Sequence, residues 1–210
     1  VEICDGGSGD LLGTVQKISE TMKNNSIRKL CELLEKDLEV YSSFPGQCVG
    51  TQKWLTALQS RGFWAVAVFR YGYWLNHEAQ WEKKGLCWNL LKLLFHFANY
   101  VIRSATKIMI GEMSVIGPGL FLSNRGEIVM GVQKMGNHCI VDTRVTIGMG
   151  EDQVPPEIGD NVCIESDTVV YGNIQIGNRV HIHAGTVLSK NVPDDRVVRG
   201  NPGRIQKNTS

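Results

Sequence analysis

Residues 174–188, IQIGNRVHIHAGTVL, set His181 and His183 on either side of one isoleucine. Two imidazoles that close can ligate a transition metal, move a proton, or simply decorate a strand. A third imidazole, His138, follows a Gly-Asn pair that suits a tight turn. Asp142 and Glu165 add carboxylates upstream, and six cysteines are scattered with no CxxC pair. That cysteine pattern excludes a zinc ribbon and does not call for a disulfide framework. Reduced, mostly buried thiols are expected, which points to the cytoplasm. What the imidazoles and carboxylates do depends on the elements that carry them.

Composition bounds those elements. A chain of 210 residues with 42% hydrophobic and 20% charged residues is globular, not fibrous or disordered. A net charge of +1 excludes a nucleic-acid surface and a general attraction to anionic membranes. VEICDGGSGDLLG lacks the basic start and apolar stretch of a signal peptide, and residues 1–12 read as flexible. The most apolar window, GLCWNLLKLLFHFANYV, is interrupted by Lys92, His96 and Asn99. It is too short and too polar to span a bilayer and reads as a helix packed in a core.

Two periods divide the chain. Over residues 1–105 the spacing is helical. Ser26 can cap a helix in which Ile27, Leu30, Leu34 and Leu38 recur at three- and four-residue intervals. GFWAVAVFRYGYWLNHE and CWNLLKLLFHFANYVIRSA are two more helices, joined by a turn at EKKG. Trp54, Trp64, Trp74, Trp81 and Trp88 all fall in this half, and helix-on-helix packing is their expected role.

From about Ile108 the period becomes six. Ile158, Ile164, Val170, Ile176, Ile182 and Leu188 form one series, Val129, Met135, Val141 and Ile147 a second, and Ile110, Ile116, Leu122 and Ile128 a third. Val162, Thr168, Ile174, Val180, Thr186 and Val192 follow four residues after the aliphatics. Such hexapeptides predict a parallel β-helix over residues 106–205, three rungs to a triangular coil, with a tail over 206–210. The fold class is therefore α+β, a helical domain followed by the β-helix. GMGEDQVPPE interrupts the count, so a loop at 148–157 leaves one corner.

The β-helix, the helix GFWAVAVFRYGYWLN, the loop after VTIG and the ending NVPDDRVVRGNPGRI together resemble the serine acetyltransferases over about residues 50–205. The resemblance implies a left-handed β-helix that moves an acetyl group from acetyl-CoA, or a related acyl thioester, to an acceptor. The flat faces of three-sided coils, carrying residues such as Val169, Gln175 and His181, predict a homotrimer, and the resemblance implies a dimer of trimers paired through the helical domain; no membrane or nucleic-acid partner is expected. The resemblance also implies a CoA rim made of Gly148, Ser166, Ala184, Gly185 and Arg204. The family activates the serine hydroxyl with an Asp-His pair at a corner and a second His before a proline. Here Ser123-Asn124 and Pro155 occupy those places, and neither Asn nor Pro accepts a proton at neutral pH. The expected reaction is acyl transfer to a small-molecule or carrier-bound hydroxyl or amine other than free L-serine. The alternative is a catalytically silent binding, regulatory or assembly partner.

Counting three rungs per coil stacks Ser123, Asp142, Glu165 and His183 in one column at strand spacing, about 4.8 Å. Asn124, Thr143, Ser166 and Ala184 form the next column. Asp142, Glu165 and His183 are expected to interact, with His183 the first candidate base, Asp142 the second, and Asn124 positioning the acceptor or thioester oxygen. The same count sends His181 outward from a flat face and starts a corner at His183. No metal site is expected from the two imidazoles, since no third ligand lies at suitable sequence spacing.

Overall fold

The computed structural model describes residues 26–42, 59–78, 86–124 and 126–207. The EKKG turn, Trp54, Trp81 and residues 1–12 lie outside them. Helix α1 spans residues 26–42, α2 spans Arg61–Tyr73 and continues as a π-helical turn over Trp74–Glu78, and α3 spans Leu86–Thr106. The first strand begins at Ile108.

Among the described residues, fifteen short strands make three sheets. The first holds β1 (Ile108–Ile110), β4 (Ile128–Met130), β7 (Val145–Gly148), β10 (Val169–Tyr171) and β13 (Val187–Leu188). The second holds β2 (Val115–Ile116), β5 (Lys134–Met135), β8 (Glu157–Ile158) and β11 (Gln175–Ile176). The third holds β3 (Phe121–Leu122), β6 (Ile140–Val141), β9 (Cys163–Ile164), β12 (His181–Ile182), β14 (Arg196–Arg199) and β15 (Arg204–Lys207). All pairings are parallel except β14 with β15, whose antiparallel hairpin ends the coil stack. Each coil buries its aliphatics only against the coils above and below, which explains why the hexapeptide repeats.

The inward ladders are Ile110–Met130–Ile147–Val170–Leu188, Ile116–Met135–Ile158–Ile176 and Leu122–Val141–Ile164–Ile182–Val198. All six residues of the four-after series are buried as well. Val129 departs from the expected phase. It points outward and is exposed, between buried Ile128 and Met130. The regular step is six residues, but Met130 to Met135 is five, and that odd step moves the inward set from even to odd positions, so counting back by six from Met135 lands on outward Val129.

The helices dock on the first coil through buried polar groups. Asp37 of α1 and Arg70 of α2 form a buried ion pair, with Arg70 Nε 2.9 Å from Asp37 Oδ2. Asp37 Oδ1 also accepts the Gly119 and Leu120 N–H groups at 2.7 and 3.0 Å, while Arg70 donates to the Ile116 and Gly117 carbonyls. The Tyr41 hydroxyl accepts the Leu122 N–H at 2.8 Å and donates to the Leu122 carbonyl. Burial raises its pKa well above the ordinary phenol value. These groups satisfy backbone at the open edge of the β-helix, which would otherwise be left unpaired on burial.

Ser26 Oγ, expected to cap α1, accepts the Trp74 indole N–H at 2.8 Å. Trp88, Leu75 and Phe95 pack α2 against α3, but Trp64 is exposed. Helix α3 is not a core helix throughout. Leu90, Leu93, Leu94, Phe97, Tyr100 and Val101 are exposed on it. No described helix is long and apolar enough to cross a membrane.

Candidate functional site

The corner between the third and first sheets carries the expected column. The register Leu122–Val141–Ile164–Ile182–Val198 places Ser123, Asp142, Glu165 and His183 directly after each inward aliphatic, with Arg199 next. Backbone bonds bind the column at each step. The amides of Ser123, Asp142, Glu165 and His183 donate to the carbonyls of Val141, Ile164, Ile182 and Val198 at 2.9–3.0 Å. Corner residues Arg144 and Asp167 both adopt positive φ and pair with each other, and Gly185 takes the same conformation one coil on, where glycine is unstrained.

The column splits into two polar groups. In the lower one, Asp142 Oδ2 accepts the Ser166 hydroxyl at 2.6 Å, and Thr143 Oγ1 donates to Ser166 Oγ at 3.1 Å. In the upper one, Glu165 Oε2 lies 3.2 Å from His183 Nδ1 and accepts the Ala184 N–H at 2.9 Å. Its other oxygen, Oε1, lies 2.7 Å from His181 Nε2. Glu165 and His183 thus meet as expected, while Asp142 turns to Ser166.

His181 does project from a flat face, as its place between Val180 and Ile182 requires. Its ring nevertheless stacks on His183, with centroids 4.5 Å apart and planes 19° apart. The two imidazoles therefore converge, and Glu165 supplies the third donor that no sequence spacing disclosed. Donor atoms of Glu165, His181 and His183 all lie within 4.8 Å of one another. Burial alone would raise the Glu165 carboxyl. The Ala184 N–H, the His181 hydrogen bond and both imidazoles outweigh it and hold the carboxyl below its ordinary range.

Asn124 faces elsewhere. Its Oδ1 accepts the Ser60 hydroxyl and, at 3.1 Å, the Gly62 N–H at the start of α2. Ser60 is itself the N-cap of that helix, its oxygen accepting the Phe63 N–H. Asn124 thereby joins the helical domain to the corner by satisfying a helix N-terminus. Among the expected rim residues, Ser166 is half-buried, Ala184 and Gly185 are exposed, and Gly148 ends β7. Arg204 pairs with Arg199 across the closing hairpin, so two exposed guanidinium groups top the same column. Arg199 escaped the sequence reading because its place depends on the parallel pairing of β12 with β14. His138 occupies a different corner, at positive φ, where its N–H donates to the Pro118 carbonyl.

A stacked hexapeptide coil with small residues and titratable side chains at one corner defines a hexapeptide-repeat transferase fold. Residues 155–190 match the bacterial transferase hexapeptide family, described as six repeats. A serine acetyltransferase from Synechococcus elongatus is 30% identical over 148 residues, covering 69% of this chain and 56% of that protein. The crystal structure of Neisseria gonorrhoeae serine acetyltransferase in complex with serine superposes with a TM-score of 0.71 at 24% identity, covering 89% of this chain and 73% of that one. A serine acetyltransferase structure in complex with CoA gives a TM-score of 0.68 at 23% identity, covering 89% and 74%. The chain belongs to the serine acetyltransferase family. It spans just over half the length of the Synechococcus relative.

Proposed function

We propose that this protein transfers an acyl group, acetyl in the first instance, from a CoA-type thioester to a hydroxyl or amine acceptor other than free L-serine. One observation carries the reading. The corner keeps small residues at Ser166, Ala184 and Gly185, while its polar chemistry stands at Asp142, Glu165, His181 and His183 and not at Ser123-Asn124. Exposed Arg199 and Arg204 offer charge for the phosphates of a CoA. Ala184 N–H, a rim donor, is engaged by Glu165, so a thioester reaching it must displace that carboxylate. An amine acceptor of low enough pKa arrives partly nucleophilic and needs less help from a base.

We also propose a homotrimer in the cytoplasm, paired into a hexamer through α3. The outward residues of the first sheet, Met109, Val129, Thr146, Val169 and Val187, are mostly apolar, whereas those of the second, Val115, Lys134, Glu157 and Gln175, are mostly polar. Exposed apolar faces of this extent suit burial against another copy.

The test is titration calorimetry with CoA and acetyl-CoA, followed by a free-thiol release assay over a panel of amino sugars, sugar alcohols and amino acids. Micromolar to millimolar CoA binding with release stimulated by a non-serine acceptor supports the reading. Absence of CoA binding overturns it. The engagement of Asn124 and the proline at 155 favour a silent binding partner as the second reading, and CoA binding with no turnover on any acceptor would select it.

A further inference from the structure

We propose that Glu165, His181 and His183 form a binding site for one divalent transition-metal ion of the zinc class. The donor set is two imidazole nitrogens and one carboxylate, a combination that suits zinc, iron, cobalt or nickel and not magnesium or calcium. Ligands bound at about 2.0–2.2 Å to a common ion sit about 2.8–3.6 Å from one another, the short end octahedral and the long end tetrahedral. The two N···O separations here, 2.7 and 3.2 Å, lie just below and within that range. An ion can therefore replace the hydrogen-bonded protons with small side-chain rotations and no backbone movement. The cost of bringing the groups together has been met by the fold, because β9 and β12 hold the Glu165 and His183 rungs in register.

Each imidazole presents a nitrogen to one oxygen of the same carboxylate, and one of the two stacked rings must tilt for both lone pairs to meet a common ion. Two further features fit a binding site better than a surface ion pair. The Ala184 N–H holds Glu165 Oε2 from outside, the kind of second contact that orients a metal-binding carboxylate. The three side chains remain 29–39% exposed, which leaves the ion a way in and a coordination position free for water or ligand. Three protein ligands with one open position is the arrangement of reactive zinc, not of a closed structural site. The site adjoins Ser166, Ala184 and Gly185. A cation there would make a bound hydroxyl more acidic, substituting for the imidazoles absent at 124 and 155. That catalytic consequence rests on the acyl-transfer reading. The binding itself does not.

The test uses the full chain, chelator-stripped, with zinc chloride or cobalt chloride alone and no acyl donor. Equilibrium dialysis should load one ion per chain. Saturation to a hundredfold excess over Kd should raise the melting midpoint by about 5–10 °C. Cobalt should give visible d–d bands without a thiolate charge-transfer band, which separates this site from any cysteine site. Glu165→Gln, His181→Ala and His183→Asn, each checked by circular dichroism, should each weaken binding at least tenfold, while His96→Ala on α3 leaves it unchanged. Two results overturn the proposal: no stoichiometric uptake, or uptake that all three variants leave intact. Because the readout is binding, a protein that loads zinc yet transfers no acyl group would refute the function and keep the site. A protein active on an acceptor without any metal would keep the function and remove only the catalytic consequence, leaving the site to the dialysis result.

Discussion

Removing the Asp37 carboxylate tests how the helical domain is fastened to the β-helix. In Asp37→Ala the Arg70 guanidinium, only 4% exposed, stays buried opposite no anion. The Gly119 and Leu120 N–H groups lose their acceptor at the same time. Deleting one partner of a buried pair costs about 3–5 kcal/mol. The two orphaned amides fall within the upper part of that range because they share the same carboxylate. For a chain of this size each kcal/mol moves the melting midpoint by about 2–4 °C, so the midpoint should fall by about 6–20 °C. Asp37→Ala with Arg70→Met removes the stranded charge and should recover more than half of the loss. The assay is thermal unfolding by circular dichroism, with hydrogen exchange at Gly119 and Leu120 as a local readout. A shift below 2 °C for the single variant, or a double variant no better than the single, would refute the reasoning.

Acetylation of free L-serine should run about 10²–10⁴-fold below that of a relative with an imidazole at the Asn124 position, and robust turnover would show that another group serves as base. Asn124→Ala should cost about 1–2 kcal/mol by leaving the Gly62 N–H and the Ser60 hydroxyl without their acceptor at the start of α2, read as a lowered midpoint with the oligomer intact; an unchanged midpoint would free Asn124 for another role. Burial pushes the Cys139 thiol up to about 11, so at pH 8 iodoacetamide should label exposed Cys31 and spare Cys139 in the native protein. Equal labelling by peptide mass mapping would show that the coil opens there. Light scattering should give a mass of three or six chains, and a monomer at micromolar concentration would remove the assembly proposed from the apolar faces.

The β-helix was legible because its code is local. Inward or outward is set residue by residue through strand alternation, and identical coils stack identically, so Ile164, Ile182 and the buried four-after series such as Val162 could be assigned from spacing alone. The order of Ser123, Asp142, Glu165 and His183 up one corner follows from the same counting. Counting failed where a corner changed length, at Val129. It could not say where a long side chain leans once its rung is known. Glu165 reaches back across a strand to His181, and Asp142 turns sideways to Ser166, because hydrogen-bond geometry between neighbouring coils decides among rotamers that the pattern leaves equivalent. Nor could spacing show that Asn124 closes the N-terminus of α2, or that one face of α3 stays exposed. Those outcomes belong to contacts between segments far apart in the chain. A hydrophobic period records how much each residue is buried, and only the assembled fold decides against which partner.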